Sequence, residues 1–261
     1  MTIKDNNHKV DVHTQRFYDE YWPKNVPYYE HTKEYMLRTI TEKNVGSALD
    51  AGSGHGVCSV VLSEISSKVT AVDISPSCVR TAQEIAKKYK RSNISFVNED
   101  LQQLSLSSDQ FDLVWCWGVA MMAPDPMKVI SNLVRVCKPG GVIYLGLYRK
   151  TWLSPVHQLI RHFCRRFMDT PRRKEMILDL FAWLTTVAST LKGRVINLRT
   201  DNVSIQAQVD DWYYPPYKTF YGIKEIISVL SGMGVTTSCI QEQVGRIKSA
   251  TIFVVRGVRN P

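Results

Sequence analysis

An α/β fold built on a mostly parallel sheet is the class this sequence predicts, and three observations predict it. Between Gly46 and Tyr148, short apolar runs at 47–51, 69–74, 94–98, 111–117 and 141–148 alternate with stretches of helical periodicity. That is the pattern of parallel strands joined by right-handed crossover helices. Two further runs, 235–241 and 249–256, are joined by a stretch too short for a crossover helix, so they form an antiparallel hairpin and bring the count to seven strands. Finally, the first run ends in an acid and opens into alternating glycines, Asp50-Ala51-Gly52-Ser53-Gly54-His55-Gly56. Such a loop lets backbone approach a ligand without interference from side chains.

Each element has its own justification. Residues 1–44 read as a helical cap rich in aromatics, with Phe17, Tyr18, Tyr21, Trp22, Tyr28 and Tyr29. The core, 45–150, begins with the glycine-loop strand. The second run ends at Asp73, 21 residues beyond Gly52, close to the offset at which doubly wound nucleotide folds place a ribose-binding carboxylate. Val79, Ala82, Ile85, Ala86 and Tyr89 then recur at helical spacing, with Ser75 or Ser77 available as the cap. The third run ends in Glu99-Asp100-Leu101, the fourth runs through Trp115 and Trp117 to Gly118-Val119, and Lys138-Pro139-Gly140-Gly141 turns into a fifth strand starting at Val142. Residues 151–217 interrupt the alternation as a helical insertion. One apolar stripe is Val156, Leu159, Ile160, Phe163 and Phe167; another runs from Met176 to Leu191. A helix at 223–231 and the hairpin complete residues 218–261. The whole chain, 1–261, reads as one domain.

Composition narrows the function. No apolar run is long enough to span a membrane, and the first residues lack a signal-peptide pattern. The six cysteines are scattered, without a Cys-x-x-Cys pair, which points to reduced thiols in a cytoplasmic protein and to no metal site. The net charge of +9 is concentrated: residues 149–174 hold eight Lys or Arg against one acid, Asp169, a local +7. A solvated helix face is the ordinary account of such a run. An anionic membrane surface or an acidic small substrate is the next, because two Phe residues share the helix with the arginines. RNA is disfavoured, since the aromatics are not interleaved with the arginines and no recognition module is appended.

The glycine spacing discriminates between nucleotide ligands. A dinucleotide fingerprint requires its third glycine three residues after the second, but position 57 is Val and the third glycine is Gly56. The Asp-x-Gly-x-Gly-x-Gly loop, Asp73, Asp100-Leu101, the segment 111–119 and Lys138–Gly141, in that order, resemble the class I S-adenosylmethionine-dependent methyltransferases. Within them the chain is similar to the small-molecule group that includes quinone-ring and natural-product enzymes. The resemblance covers about residues 45–150, and more loosely Asp211–Tyr217 and Tyr221–Gly234. It implies a Rossmann-like seven-stranded sheet with an antiparallel terminal strand. It also implies S-adenosylmethionine as cofactor, S-adenosylhomocysteine as product, and methyl transfer to nitrogen, carbon or oxygen of a small acceptor. Asp50, Ala51, Gly52, Ser53, Gly54 and Gly56 would cradle the methionine end. Asp73 would take the ribose hydroxyls, Ile74 the adenine face, and Asp100 and Leu101 the adenine edge, with Glu99 competing. Trp115 and Trp117 would lie near the loop under the methyl group, and Tyr21 would close over it.

One departure concerns the acceptor. Many relatives carry a His pair after the fourth-strand Gly-Val; here Met121 and Met122 stand there. Methionine accepts no proton, so either the nucleophile arrives competent, as an amine or an electron-rich carbon, or the pair is packing. No catalytic residue is assigned. Tyr18, Trp22, Met121, Met122, Asp211, Trp212, Tyr213, Tyr214 and Tyr217 are the candidates for lining the acceptor side. Two other functions compete: an RNA methyltransferase using the 149–174 patch, and a cofactor-binding regulator without catalysis. Nothing in the sequence indicates an oligomeric state.

Overall fold

The computed structural model describes residues 12–21, 29–167, 213–243 and 252–261, with positions 170, 176 and 180. The chain divides into two compact units, Met1–Lys150 with Pro216–Pro261, and Thr151–Pro215. The first unit carries a seven-stranded sheet: β1 (Val45–Ala51), β2 (Ser66–Asp73), β3 (Ile94–Asn98), β4 (Phe111–Trp117), β5 (Cys137–Tyr148), β6 (Val235–Gln243) and β7 (Ile252–Arg259). Their spatial order is β3-β2-β1-β4-β5-β7-β6. Strands β1 to β5 pair in parallel, and β7 lies antiparallel between β5 and β6, as the short connection required. The turn joining β6 to β7 falls outside the described residues.

Helices α1 (Val12–Tyr21), α2 (Tyr29–Thr39), α3 (Val57–Ile65), α4 (Pro76–Lys88), α5 (Pro126–Val136) and α7 (Ile223–Gly232) belong to this unit, and α6 (Ser154–Phe167) to the other. Local chemistry sets their starts. Ser75, not Ser77, caps α4: its Oγ accepts from Cys78 N at 3.1 Å, and Pro76 supplies the first helical residue. Asp125 and Pro126 repeat the device on α5, with Asp125 Oδ1 accepting from Lys128 N at 3.0 Å. Strand β5 starts at Cys137 rather than Val142. Cys137 pairs with Phe111 ahead of a register shift, so the Lys138–Gly141 turn is absorbed as an irregularity within the strand.

The core lies between one face of the sheet and α2 and α3. Met36 and Ile40, Val61 and Leu62 pack there against Ala48, Leu113, Trp115, Tyr144 and Val254. Burial on both faces is why the central strands read as apolar runs rather than as alternation. Glu42 ties the sheet's far side to the chain entering β1, accepting from Tyr144 Oη at 2.5 Å and Arg256 Nε at 3.0 Å.

Strand order positions the site. From β1 the chain proceeds outward to β2 and β3, and from β4 outward the other way to β5. The β1/β4 junction is therefore the topological switch point, beyond whose carboxyl ends sheets of this kind bind their ligands.

In the second unit, α6 reverses the expected orientation. The stripe expected to pack, Val156, Leu159, Phe163 and Phe167, is exposed, with Ile160 partly covered, while Ser154, Arg161 and Cys164 are buried. The reason is local. Arg161 Nη2 donates to Pro215 O at 2.6 Å and Nη1 to Gln158 Oε1 at 2.8 Å, so the polar face finds partners inward. The simple solvated basic face is thus corrected at its central arginine. Of the second stripe only Met176 and Leu180 are described, and both are exposed.

Candidate cofactor site

Three positive-φ glycines shape the loop after β1: Gly52 at φ 81°, Gly54 at 50° and Gly56 at 78°. The first turn is pinned to the neighbouring strand, since Gly52 N and Ser53 N both donate to Val72 O, at 2.8 and 2.9 Å. A Cβ on Gly52 would lie 2.3 Å from Val119 Cγ2, and one on Gly56 would lie 2.6 Å from Ala82 Cβ. Two of the glycines therefore serve the packing of the loop against β4's tip and α4.

Asp73 is the hub. Its Oδ2 accepts from Gly54 N at 2.8 Å and its Oδ1 from Ser75 N at 2.9 Å, while its carbonyl accepts from Glu99 N at 3.0 Å and Asn98 Nδ2 at 2.9 Å. The tips of β1, β2 and β3 are knitted through this one residue. Two backbone donors leave the carboxylate with further acceptor capacity. Asp50 lies one strand over, buried, with Oδ2 accepting from Ser59 Oγ at 2.5 Å. Burial, resisted by those hydrogen bonds, pushes Asp73 up to about 6 and Asp50 to about 7, the latter helped by Asp73's charge.

Two buried polar atoms at this edge have no hydrogen-bond partner: Ser53 Oγ in the glycine loop and Glu99 Oε2 beyond β3. Unpaired buried acceptors and donors are costly, so such atoms call for a ligand or water. Asp100 is differently placed. Its carboxylate caps the short 3-10 turn Leu101–Gln103, accepting from Gln102 N at 2.9 Å and Gln102 Nε2 at 3.1 Å. Leu101 is buried and its carbonyl accepts from Asn132 Nδ2 at 2.8 Å. Of the two acids at this tip, Glu99 is the one with an open oxygen.

Helix α1 reaches the same edge. Gln15 Nε2 donates to Ile74 O at 3.2 Å, and Asp19 Oδ1 accepts from Ser77 N at 3.1 Å and from Ser75 Oγ. Sequence reading missed Gln15 and Asp19. Their only signal was a spacing of four, one helical turn, beside the more conspicuous tyrosines. Tyr18 is half-buried on this helix; Tyr21's backbone ends α1, and its side chain and Trp22 lie outside the described residues. Tyr29 is drawn elsewhere: it stacks on Tyr89 at 4.3 Å and donates to Glu64 Oε1 at 2.6 Å. Those are the ends of α4 and α3 remote from the glycine loop.

At β4, Trp115 is sunk in the core at 1% exposure, stacked on the half-buried Trp117 with centroids 5.7 Å apart. Strand alternation puts both rings on the sheet face that α2 covers, where Trp117 meets Tyr35 edge-on. Trp115's ring thus packs the core instead of the loop. Met121 and Met122 are buried as well. Met121 Sδ accepts from Tyr148 N at 3.3 Å and Met121 O from Thr219 N at 2.9 Å, a packing role joining the β4 loop, the end of β5 and segment 217–221. There Lys218, 4% exposed, holds Nζ 4.1 Å from the Tyr148 ring centroid, a cation–π contact the sequence did not announce. Tyr217 is partly exposed; Tyr214 is buried, and Tyr213 stacks on His157 at 5.0 Å within the second unit. Asp211 and Trp212 lie outside the described residues. Among the described residues no cluster of His, Cys, Asp or Glu could hold a metal, and no helix is long and apolar enough to cross a membrane.

A parallel sheet in this strand order with β7 inserted antiparallel, a glycine loop at the switch point and an acid at β2's tip define the class I methyltransferase fold. Residues 49–145 match the family model described as "Methyltransferase domain". The chain is similar to the ubiquinone biosynthesis O-methyltransferase of Coxiella burnetii, 28% identical over 127 residues, or 49% of this chain and 53% of that one. It is also similar to the malonyl-[acyl-carrier protein] O-methyltransferase of Pseudescherichia vulneris, 29% identical over 123 residues, 47% of each. The chain thus spans about half the length of the curated relatives it matches. In fold it resembles the N-methyltransferase NodS of Bradyrhizobium japonicum, solved with S-adenosyl-l-homocysteine, with TM-score 0.60, 16% identity, and 95% and 100% of the two chains covered.

Proposed function

We propose that this protein transfers a methyl group from S-adenosylmethionine to nitrogen, carbon or oxygen of a small organic acceptor. The observation that carries the proposal is Asp73, a buried carboxylate that braces the glycine loop and retains acceptor capacity at the switch point. The residues fit this cofactor. Ribose hydroxyls would donate to Asp73, Ile74 would pack on the adenine, and the purine amino group would donate to the 99–100 acid pair, where Glu99 has the open oxygen. Asp50 and the Ala51–Gly56 backbone would hold the methionine end, where Ser53 Oγ would gain the partner it lacks. When bound, S-adenosylmethionine supplies a methyl group on a sulfonium centre, and its transfer leaves S-adenosylhomocysteine. The protein's contribution is alignment and exclusion of water, to which α1 adds by clamping Ile74 and Ser75. Met121 and Met122 serve as packing, so the missing His pair does not select the acceptor's nucleophile. The small-molecule reading draws support from the relatives' names, ubiquinone biosynthesis and malonyl-[acyl-carrier protein] methylation.

The test is transfer of labelled methyl from S-adenosylmethionine to a panel of catechols, hydroquinones, amines and carboxylic acids. Label on one of these classes is the expected result. Cofactor binding without transfer to any of them would favour a regulator, and label on RNA, declining steeply with salt, would favour the basic-patch alternative.

Acid should weaken cofactor binding. Ligand donors favour the ionised carboxylates, so the bound state holds Asp73 and Asp50 below their ligand-free values of about 6 and about 7, and binding releases protons between them. Affinity for S-adenosylhomocysteine is expected to be about tenfold lower at pH ~5 than at pH ~7.5. Calorimetry in buffers of different ionisation enthalpy checks this; flat affinity without proton release counts against the assignment. For stability the sign is opposite. Both folded values lie above the unfolded 3.8, so without ligand these two groups lose stability as pH rises from about 4 through 7.

A further inference from the structure

We infer that α6 is an interfacial helix that docks this protein on an anionic lipid surface. A helix packed in a water-soluble protein turns its apolar stripe inward. Here Trp152 ahead of α6 is 84% exposed, and Leu159, Phe163 and Phe167 along it are each more than half exposed. The opposite face carries Ser154, His157, Arg161 and Cys164, held by Tyr213 stacking on His157 and by Pro215 O accepting from Arg161. The inversion is therefore anchored, because turning the helix over would break the buried arginine's hydrogen bonds. Around the apolar stripe lie exposed His162, Arg165 and Arg166. Exposed aromatics flanked by cations match the bilayer boundary, where rings enter the acyl region and guanidiniums meet lipid phosphates. With 14 residues, α6 is too short to cross a bilayer and lies in its plane.

Charge selects the occupant. A second copy seated on the same face would bring the exposed Arg165 and Arg166 of two molecules together across a two-fold axis, which is repulsive, whereas an acidic bilayer complements them. The inference stands apart from the methyl-transfer reading, since its readout is vesicle binding.

The test is co-sedimentation of the full chain with phosphatidylcholine vesicles, with and without about one quarter phosphatidylglycerol, at low salt and in about 0.5 M salt. Binding is expected to be at least about tenfold stronger to the anionic vesicles and to fall with salt. Leu159→Glu with Phe163→Glu, and separately Arg165→Glu with Arg166→Glu, should each lower it at least about tenfold at unchanged melting temperature, while Phe163→Leu keeps it. Equal binding to neutral vesicles, or wild-type binding by both double variants, overturns the proposal. So does a wild-type dimer that Leu159→Glu with Phe163→Glu makes monomeric while neither protein binds vesicles, for then a second copy covers the stripe.

Discussion

Replacing Asp73 by Ala is expected to lower the affinity for S-adenosylhomocysteine more than about 100-fold, because two charge-assisted hydrogen bonds of about 1.5 to 3 kcal/mol each go with the carboxylate. The same change should destabilise the protein itself. Gly54 N and Ser75 N both donate to this carboxylate, and each buried N–H left without its acceptor costs about 1 to 3 kcal/mol. At about 2 to 4 °C per kcal/mol for a chain of this size, the melting temperature should drop by about 4 to 24 °C. The sequence alone assigned Asp73 to ligand binding; the geometry adds the second cost. Asp73→Asn separates the two effects partially, since its one oxygen can satisfy one of the two backbone donors. Titration calorimetry and thermal melts give both numbers. A lowered melting temperature with unchanged affinity would reduce Asp73 to a brace of the loop.

Gly52→Ala should be among the most damaging single methyls at the described glycines. The new Cβ would sit 2.3 Å from Val119 Cγ2 and 2.6 Å from Cγ1, at a backbone φ of 81°. The strained backbone costs about 1 to 2 kcal/mol, and overpacking against a stiff β-branched neighbour adds about 1 to 3 kcal/mol. Gly140→Ala is the internal control, because Gly140 has φ 77° and nothing within 4 Å of an added Cβ. It should show the strain alone. Val119→Ala in the Gly52→Ala background should recover the packing share and leave the strain. Denaturant melts of the four proteins decide it, and equal losses for Gly52→Ala and Gly140→Ala would mean that the contact with Val119 contributes nothing.

Much of the site was legible because it is written in short-range chemistry. An acid at a strand end, a glycine alternation and a second acid 21 residues after Gly52 are local facts, and the strand pairing brings them to one edge. Ser-Pro and Asp-Pro helix starts were equally readable at Ser75 and Asp125. What could not be read were choices among equivalent residues. Glu99 and Asp100 are both acids at one strand tip, and only the turn at Leu101 decides that Asp100 spends its oxygens on Gln102. Trp115 looked like a site residue by its place near a loop, but strand alternation and the cover of α2 bury it. Lys218 carried no pattern at all; its meeting with Tyr148 joins residues 70 positions apart.

The sequence by itself determined the strand order's origin, the glycine loop and its acidic partner, since periodicity, cap residues and glycine conformation act over a few bonds. Tertiary structure alone decided that Gly52 must also make room for Val119, and that Asp73 holds three strand tips at once. It decided too that α6 shows its apolar side to the outside. Periodicity reports that a helix has two unlike faces; which of them is buried depends on the partners that distant residues such as Tyr213 and Pro215 bring to it.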